Sequence, residues 1–294
     1  MINDSPVRDD EKHKYCSDMV HRYDRDRYIC GLFAPEEFRH HLTALYAFNI
    51  EIAGTGESVS EPLIGQMRLK WWFDALDGIY NGEPPAHQVA VPFSKAISQG
   101  FFRRDLVEDL IDARMVDLND TPLQTMDELV DYADRTSGTL SELAMTGLGI
   151  DNAGAKQMAR QTGIAHALTG MVRALPFNFP RRRVFLPSDV CDQAGLDVSG
   201  LLDRGMKDGT PPAMIRAIVR VMDCARTHLS DARKLKKEVP RRGVSALLPG
   251  VLAAGYLKDL KKTGSNPFGL PLRPPGPGTG NMLRLLWAAA KGSI

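Results

Sequence analysis

The spacing of the apolar residues limits what this chain can fold into more than any other feature of its sequence. Apolar side chains recur mostly three and four residues apart along nearly the whole chain, and almost no segment alternates between apolar and polar residues as a strand does. One stretch shows the period clearly, with apolar residues at Met214, Ile218, Val221, Met222, Ala225, Leu229, Ala232 and Leu235. The period therefore predicts an all-α fold.

Start and stop signals divide this pattern into separate helices. Thr210 precedes two prolines, which favours a helix start, and Thr125 with Glu128 forms a capping box. We expect helices near residues 11–30, 35–52, 61–80, 90–98, 105–118, 125–148, 151–175, 212–235, 243–262 and 282–290. Residues 266–280 are rich in Pro and Gly and are predicted to form a loop. No repeat or break in composition interrupts the chain, so we expect a single domain over residues 1–294.

Composition excludes several classes of function. The formal net charge is +1, so no bulk field attracts nucleic acid, and we expect no nucleic-acid partner. The four cysteines form no Cys-x-x-Cys pair and have no histidine cluster beside them, which argues against a zinc site or a disulfide framework. The polar, partly acidic N-terminus resembles neither a secretory signal nor a transit peptide. We therefore expect a cytoplasmic protein with free thiols.

Residues 244–257 form the most apolar stretch, but Ser245, Pro249 and Gly250 interrupt it, and it is too short to span a bilayer. Basic residues flank it in three runs, at 233–237, 241–242 and 258–262. Two interpretations stay open. The runs are solvated helix ends, or they hold the protein at the inner face of an anionic membrane together with apolar side chains of this stretch.

Small residues mark one face of the helix expected at 151–175. Gly163, Ala167, Gly170 and Ala174 follow one another at spacings of four, three and four, which places them on one side of the helix. Two interpretations again stay open. The stripe permits close packing against a neighbouring helix, or it borders a slot in the bundle that admits an apolar ligand.

Five segments together carry a family resemblance. They are RDRYICGLFAP, LTALYAFNIEI, RLKWWFDAL, LVDYADRTSGTL and GIAHALTGMVRALPFNFPRRRVFLP, in this order. In order and in sequence they resemble the squalene/phytoene synthase family over about residues 15–260, and the last segment is the most specific. The resemblance implies an isoprenoid-synthase-like bundle of antiparallel helices around a central cavity.

Enzymes of that family join two prenyl diphosphates head to head, using an Asp-x-x-x-Asp motif on each of two facing helices. Residues four apart share one helix face, so both carboxylates of a motif reach the same site. Magnesium prefers such oxygen ligands and bridges them to phosphate, and the metal neutralises the departing diphosphate. The resemblance thus implies four metal carboxylates.

This sequence lacks nearly all of them. The positions that match the first motif are Ala53 and Glu57, and those that match the second are Ala174 and Asn178. Removing members of a catalytic unit that act together lowers rates by orders of magnitude. We therefore expect no catalytic residue, no metal site and no cofactor, with magnesium required only if the protein is an enzyme after all.

Other positions of the resemblance remain candidates for a ligand pocket. These are Arg27, Tyr28, Tyr46, Asn49, Gly163, Ala167, Gly170 and Arg173. The arginines either grip an anion or serve as ion-pair partners or a docking patch. Phe177 and Phe179, in and beside the lost second motif, are consistent with partial filling of the cavity.

The altered motifs resemble one branch of the family that has lost its aspartates and includes a mitochondrial assembly factor for respiratory complex I. The leading hypothesis is a non-catalytic protein that binds a lipid or isoprenoid-like ligand or a protein partner. One alternative is a prenyltransferase that condenses two prenyl diphosphates with magnesium. Another is a pure interaction scaffold whose cavity has collapsed. Fold-level analogy alone does not decide among them.

Overall fold

The computed structural model describes residues 6–58, 61–99, 101–118, 122–206, 209–270 and 276–292, with only the backbone given for residues 6–10, 57 and 58. Helices joined by turns and short irregular segments make up this described part, which contains no strand. The expected all-α class is confirmed.

The helices follow one another with short connections. They are α1 (Pro6–Tyr23), α2 (Arg25–Gly31), α3 (Glu36–Ala53), α4 (Thr55–Ser58), α5 (Pro62–Tyr80), α6 (Ala90–Ser98), α7 (Arg104–Ala113), α8 (Met126–Ala133), α9 (Thr139–Gly147), α10 (Ala153–Asn178), α11 (Ser188–Ala194), α12 (Val198–Arg204), α13 (Pro212–Lys234), α14 (Val244–Lys262) and α15 (Thr279–Lys291). Thr125 caps α8 as its pattern predicts, accepting a hydrogen bond from the backbone N–H of Glu128 at 3.1 Å.

Asp24 divides the helix expected over residues 11–30 into two. Its side chain accepts a hydrogen bond from the backbone N–H of Arg27 at 3.1 Å, which caps α2. The same carboxylate binds the guanidinium of Arg27 at 2.7 Å. The capping aspartate therefore starts a new helix where the apolar period alone suggested a continuous one.

The helix expected over residues 125–148 is also interrupted. A π-helical turn, Asp134–Gly138, separates α8 from α9. Within it the Thr136 hydroxyl donates to the carbonyl of Tyr132 at 2.6 Å, and the Thr139 hydroxyl donates to that of Asp134 at 3.3 Å. Such turns insert one residue into a helix and are frequent at functional sites. Here the turn carries Ser137, which accepts a hydrogen bond from Arg27 at 2.8 Å.

Two further differences concern shorter elements. Helix α7 ends at Ala113 and continues as a 3₁₀ turn, Arg114–Leu118, instead of as one helix to residue 118. Helices α11 and α12 lie in a region where no helix was predicted, because each spans only seven residues and shows less than two helical periods. The loop expected at residues 266–280 ends at Gly278, where α15 begins, and its residues 271–275 lie outside the described residues.

Helix α10 lies at the centre of the bundle, packed against α9, α13 and α14. One apolar cluster joins mainly α1, α3, α5, α6, α7 and α9, and another joins α8, α10, α11, α13 and the end of α14. A third cluster connects α2, α14 and α15. The bundle thus places the C-terminal ends of α3 and α10 beside the turn that follows α7.

The apolar stretch at 244–257 is part of α14 and faces inward. Leu247, Leu248 and Leu252 are each at most 1% exposed, so these side chains are not available to a membrane surface. The expectation that this stretch supplies the membrane contact is therefore wrong. None of the helices described is both long and apolar enough to cross a membrane.

Candidate functional site

The positions of the two lost motifs border one pocket. Helix α3 ends at Ala53 and α10 ends at Asn178, and both residues line a cavity of about 480 Å³. We call it the lost-motif pocket, and it is lined by Ala53, Gly56, Arg114, Asp117, Tyr132, Phe177, Asn178, Arg181, Arg183 and Phe185. The helix ends therefore meet as the resemblance implies, but with different side chains.

Arg114 lies at the centre of a polar network in this pocket. Its guanidinium donates to Asp117 at 3.3 Å, to the Tyr132 hydroxyl at 3.1 Å and to the side-chain oxygen of Asn49 at 3.2 Å. The Tyr132 hydroxyl donates to Asp117 at 2.6 Å, and burial raises the pKa of Tyr132 above its usual value. The Nε of Arg114 is buried and has no partner among the described residues. Asn49 thus positions the arginine.

Two further arginines bring positive charge to the pocket, and their partners among the described residues are not carboxylates. Arg181 donates to the carbonyl of Phe177 at 2.7 Å and stacks over the Phe177 ring at 3.7 Å. Both terminal nitrogens of Arg183 lie 3.4 Å from the carbonyl of Gly56. Within the described chain, neither arginine forms an ion pair. Among the described lining residues, three arginines face the single aspartate Asp117, so their summed charge is positive.

Magnesium does not fit these residues. The metal requires several carboxylate or carbonyl oxygens, whereas the carboxylate of Asp117 is already held by Arg114 and Tyr132. Three guanidinium groups line the same cavity and would repel a cation. Across the described ranges, no three His, Cys, Asp or Glu side chains are grouped so that they could hold a metal.

The remaining motif positions differ in placement. Ala174 is half-buried on α10 and is not part of the pocket lining. Glu57 belongs to α4, but its side chain lies outside the described residues. Phe177 is 56% exposed and lines the lost-motif pocket, whereas Phe179 packs edge-to-face on Phe268. Partial filling of the cavity by these two residues stays a prediction.

Arg173 belongs to a second polar cluster, between α2, α10 and α14. Its guanidinium lies over the Tyr256 ring at 3.5 Å, and the Tyr256 hydroxyl binds both oxygens of Asp26 at 2.7 and 2.8 Å. His166 lies 3.9 Å from Asp26. Burial alone would raise the pKa of the Asp26 carboxyl, but His166, Tyr256 and the charge of Arg173 outweigh it and lower the pKa. These contacts place Arg173 away from the lost-motif pocket.

Three more of the predicted residues line a different cavity. Arg27, Tyr28 and Tyr46 border a pocket of about 330 Å³ among α1, α2 and α3. Arg27 is itself buried between Asp24 and Ser137. Burial alone would lower the pKa of its guanidinium, but the Asp24 carboxylate raises it. These two bonds fix the position of Arg27 beside the pocket, and its role toward a ligand stays a prediction.

The small residues on α10 differ in what surrounds them. A Cβ built on Gly163 would lie 2.2 Å from the carbonyl oxygen of Ser137 and 2.6 Å from the Ser141 hydroxyl, so this end packs tightly. At Gly170 an added Cβ meets no atom within 4 Å. Ala167 and Gly170 are half-buried, and Ala167 packs against the apolar cluster around α10 and α13. Close packing thus applies at Gly163, whereas a ligand slot near Gly170 stays a prediction.

The sequence pointed to the run Arg181 to Arg183, in the last segment of the resemblance, as anion-binding or ion-pairing groups, but it did not point to Arg114. Arg114 joins Arg181 and Arg183 because the 3₁₀ turn after α7 packs beside the end of α10. The sequence also did not show which members of the run face the pocket. Asp26 and Tyr256 are 230 positions apart, and no local pattern connects them.

Comparison with known proteins gives this geometry a context. Residues 20–277 match the squalene/phytoene synthase family. Complex I assembly factor 6 from Mus musculus is 34% identical over 251 residues, covering 85% of this chain and 74% of that protein.

Two solved structures share the fold. A squalene synthase from Alicyclobacillus acidocaldarius superposes with a TM-score of 0.77 at 19% identity, over 90% of this chain and 98% of that one. A dehydrosqualene synthase in complex with a ligand gives 0.80 at 15% identity, over 98% of each chain. These superpositions confirm the isoprenoid-synthase-like helical bundle.

Proposed function

The chain belongs to the squalene/phytoene synthase family, and we propose that it is a non-catalytic member that acts in the assembly of respiratory complex I. The observation that carries the proposal is the exchange of charge in the lost-motif pocket. Where the enzymes need clustered carboxylates and magnesium, this chain has alanine, asparagine and three arginines. The role in assembly rests on the relationship to the mouse assembly factor.

The same pocket has a use without metal. Guanidinium groups bind phosphate oxygens directly and often in bidentate fashion. Among the described residues, the hydrogen bonds of Arg181 and Arg183 go to main-chain carbonyls, and the buried Nε of Arg114 lacks a partner. On this proposal the pocket holds the anionic end of a lipid or isoprenoid-like ligand, while an apolar tail follows the open side of α10 near Gly170. A protein partner would then recognise the loaded bundle.

A binding measurement tests the pocket. Calorimetric titration with inorganic pyrophosphate in EDTA should give binding, and adding magnesium should not strengthen it. The Arg181→Gln/Arg183→Gln variant should bind at least tenfold more weakly, because each hydrogen bond to a charged group contributes about 1.5–3 kcal/mol. Arg182→Gln is the matched control, since Arg182 pairs with Asp203 at 2.7 Å and does not line the pocket. Binding that requires magnesium, or that Arg182→Gln weakens equally, would contradict the proposal.

Activity and cellular role are tested separately. Purified protein should release no pyrophosphate from farnesyl diphosphate with magnesium, and release would restore the prenyltransferase alternative. In cells that lack the gene for this chain, assembled complex I on native gels should fall. The wild-type chain and Glu57→Ala should restore it, and restoring Asp at Ala53 and Ala174 should not be needed. Complex I that is unchanged by the deletion would refute the assembly role.

A further inference from the structure

Helix α15 is apolar on two opposite faces. Leu285 and Ala288 are buried against α14, in a cluster that includes Leu248 and Leu252. On the other side Leu283 is 63%, Leu286 49% and Trp287 64% exposed. These three positions are three and four residues apart, so they form one stripe. A helix with apolar residues on both sides is normally covered on both.

The charged side chains on α15 and in the sequence around it are all basic. Asp259 is the last acidic residue of the sequence, so everything from residue 260 to residue 294 is neutral or basic. Lys291 lies over the Trp287 ring at 4.6 Å, and Arg284 is half-buried on the same helix. Arg241 donates to the carbonyl of Ala290 at 3.3 Å, which brings a further positive charge to the end of α15. The chain as a whole has a net charge of only +1, so positive charge is concentrated here.

We propose that α15 binds the surface of an anionic lipid bilayer and lies in its interface, with Leu283, Leu286 and Trp287 among the acyl chains. A tryptophan and leucines on one face with basic residues beside them is the composition of an interfacial helix. Anionic head groups complement the positive rim, and an indole ring favours the head-group level. A protein partner would need an apolar patch surrounded by acidic residues to bind the same stripe, which is an unusual combination.

The rest of the fold keeps this helix in place. Leu285 anchors α15 on α14, and Arg241 ties its last turn to the 3₁₀ turn that precedes α14. Helix α14 thus supports α15 and does not itself contact the membrane. The inference does not depend on the proposed function, because none of these residues lines the lost-motif pocket.

Co-sedimentation with vesicles tests the inference. The full chain should bind vesicles of phosphatidylcholine with phosphatidylglycerol, and binding should weaken with salt and be much lower with phosphatidylcholine alone. Leu283→Ser/Trp287→Ser should lower the partition coefficient at least tenfold, since inserting each side chain contributes about 1.5–3 kcal/mol. Lys291→Gln should lower it about fivefold, because a basic residue near an anionic surface contributes about 1 kcal/mol. Tryptophan fluorescence should shift to the blue with anionic vesicles, and Trp287→Phe should abolish most of the shift.

The control is a second exposed apolar stripe. Leu63 and Met67 on α5 are 63% and 65% exposed, which matches Leu283 and Trp287, yet the charges on α5 have both signs, because Lys70 pairs with Asp74 at 3.0 Å. Leu63→Ser/Met67→Ser should bind vesicles like the wild type. Equal binding to neutral and anionic vesicles, or equal loss in both double variants, would overturn the inference. So would a dimer in light scattering that Leu283→Ser/Trp287→Ser converts to a monomer, because a second copy would then cover the stripe.

Discussion

Replacing Gly163 by alanine tests the close approach of α10 to the π-helical turn. The new Cβ would lie 2.2 Å from the Ser137 carbonyl oxygen and 2.7 Å from its carbonyl carbon, whereas ordinary contacts begin at 3.4 Å. A flexible side chain could move aside, but two of the three nearest atoms are backbone. The two elements must therefore separate by about an ångström, a distance we take from the 2.2 and 3.4 Å values.

A separation of this size should lower the free energy of unfolding. Overpacking a tight core costs about 1–3 kcal/mol, and occasionally more, because neighbouring side chains leave their preferred positions. Alanine recovers about 1 kcal/mol over glycine within a helix. Since the clash is with backbone, we place the overpacking at its upper end and expect Gly163→Ala to lower the free energy of unfolding by about 2 kcal/mol.

Gly170→Ala on the same helix is the matched control. An added Cβ there meets nothing within 4 Å, so only the helix propensity changes, and the free energy of unfolding should rise by about 0.5–1 kcal/mol. Urea unfolding followed by circular dichroism measures both variants. Two variants that shift in the same direction, or a neutral Gly163→Ala, would refute the reasoning about this stripe.

Two further predictions follow from the buried ionisable groups. Because the pKa of Asp26 is lowered in the folded state, its contribution to stability is complete above about pH 4, near the unfolded value, and is lost as the pH falls through the lower folded value. Asp26→Asn should therefore unfold more easily at pH 7 in thermal melts, with a difference from the wild type that shrinks below pH 4; a difference independent of pH would contradict this. Burial raises the pKa of Cys16 to about 12 and that of Cys30 well above its usual value. Iodoacetamide at pH 8 should therefore label half-buried Cys224 first by mass spectrometry, and equal labelling of Cys16 would count against the packing around it.

The sequence predicts most of the fold because helical periods are local. The six residues that define the helical period of α13 are all buried, namely Met214, Ile218, Val221, Met222, Ala225 and Leu229. The predicted helix boundaries are wrong where a side chain competes with the hydrogen bonds of the helix backbone. Asp24 does so by capping α2, and Thr136 does so by donating to the carbonyl of Tyr132. Both residues are ordinary members of a helical period, so the pattern alone gives no sign of the interruption.

The sequence predicted where along the chain the residues of the candidate site lie, but not which side chains surround them. Matching the two motifs located Ala53 and Asn178, which indeed share a pocket, because the register of each helix fixes where its end lies. What surrounds those positions depends on contacts between distant segments. Asn49 accepts from Arg114 across 65 residues, and Arg183 reaches the Gly56 carbonyl across 127. Spacing within one helix carries no information about such contacts.

The loss of the aspartates and the presence of the arginines both concern the charge that lines the pocket. Four carboxylates around a single cavity repel one another unless cations lie between them or protons neutralise some of them. Here Arg114 has its own partners in Asn49, Asp117 and Tyr132, which hold it without any ligand. Arg181 and Arg183 rest on main-chain carbonyls, which orient a guanidinium but do not cancel its charge. We expect an aspartate in place of Ala53 to form an ion pair with these arginines. We do not expect it to bind a metal. Among the described lining residues the charge is therefore the opposite of what four carboxylates would give, and it is this difference that leads us to propose an anionic ligand.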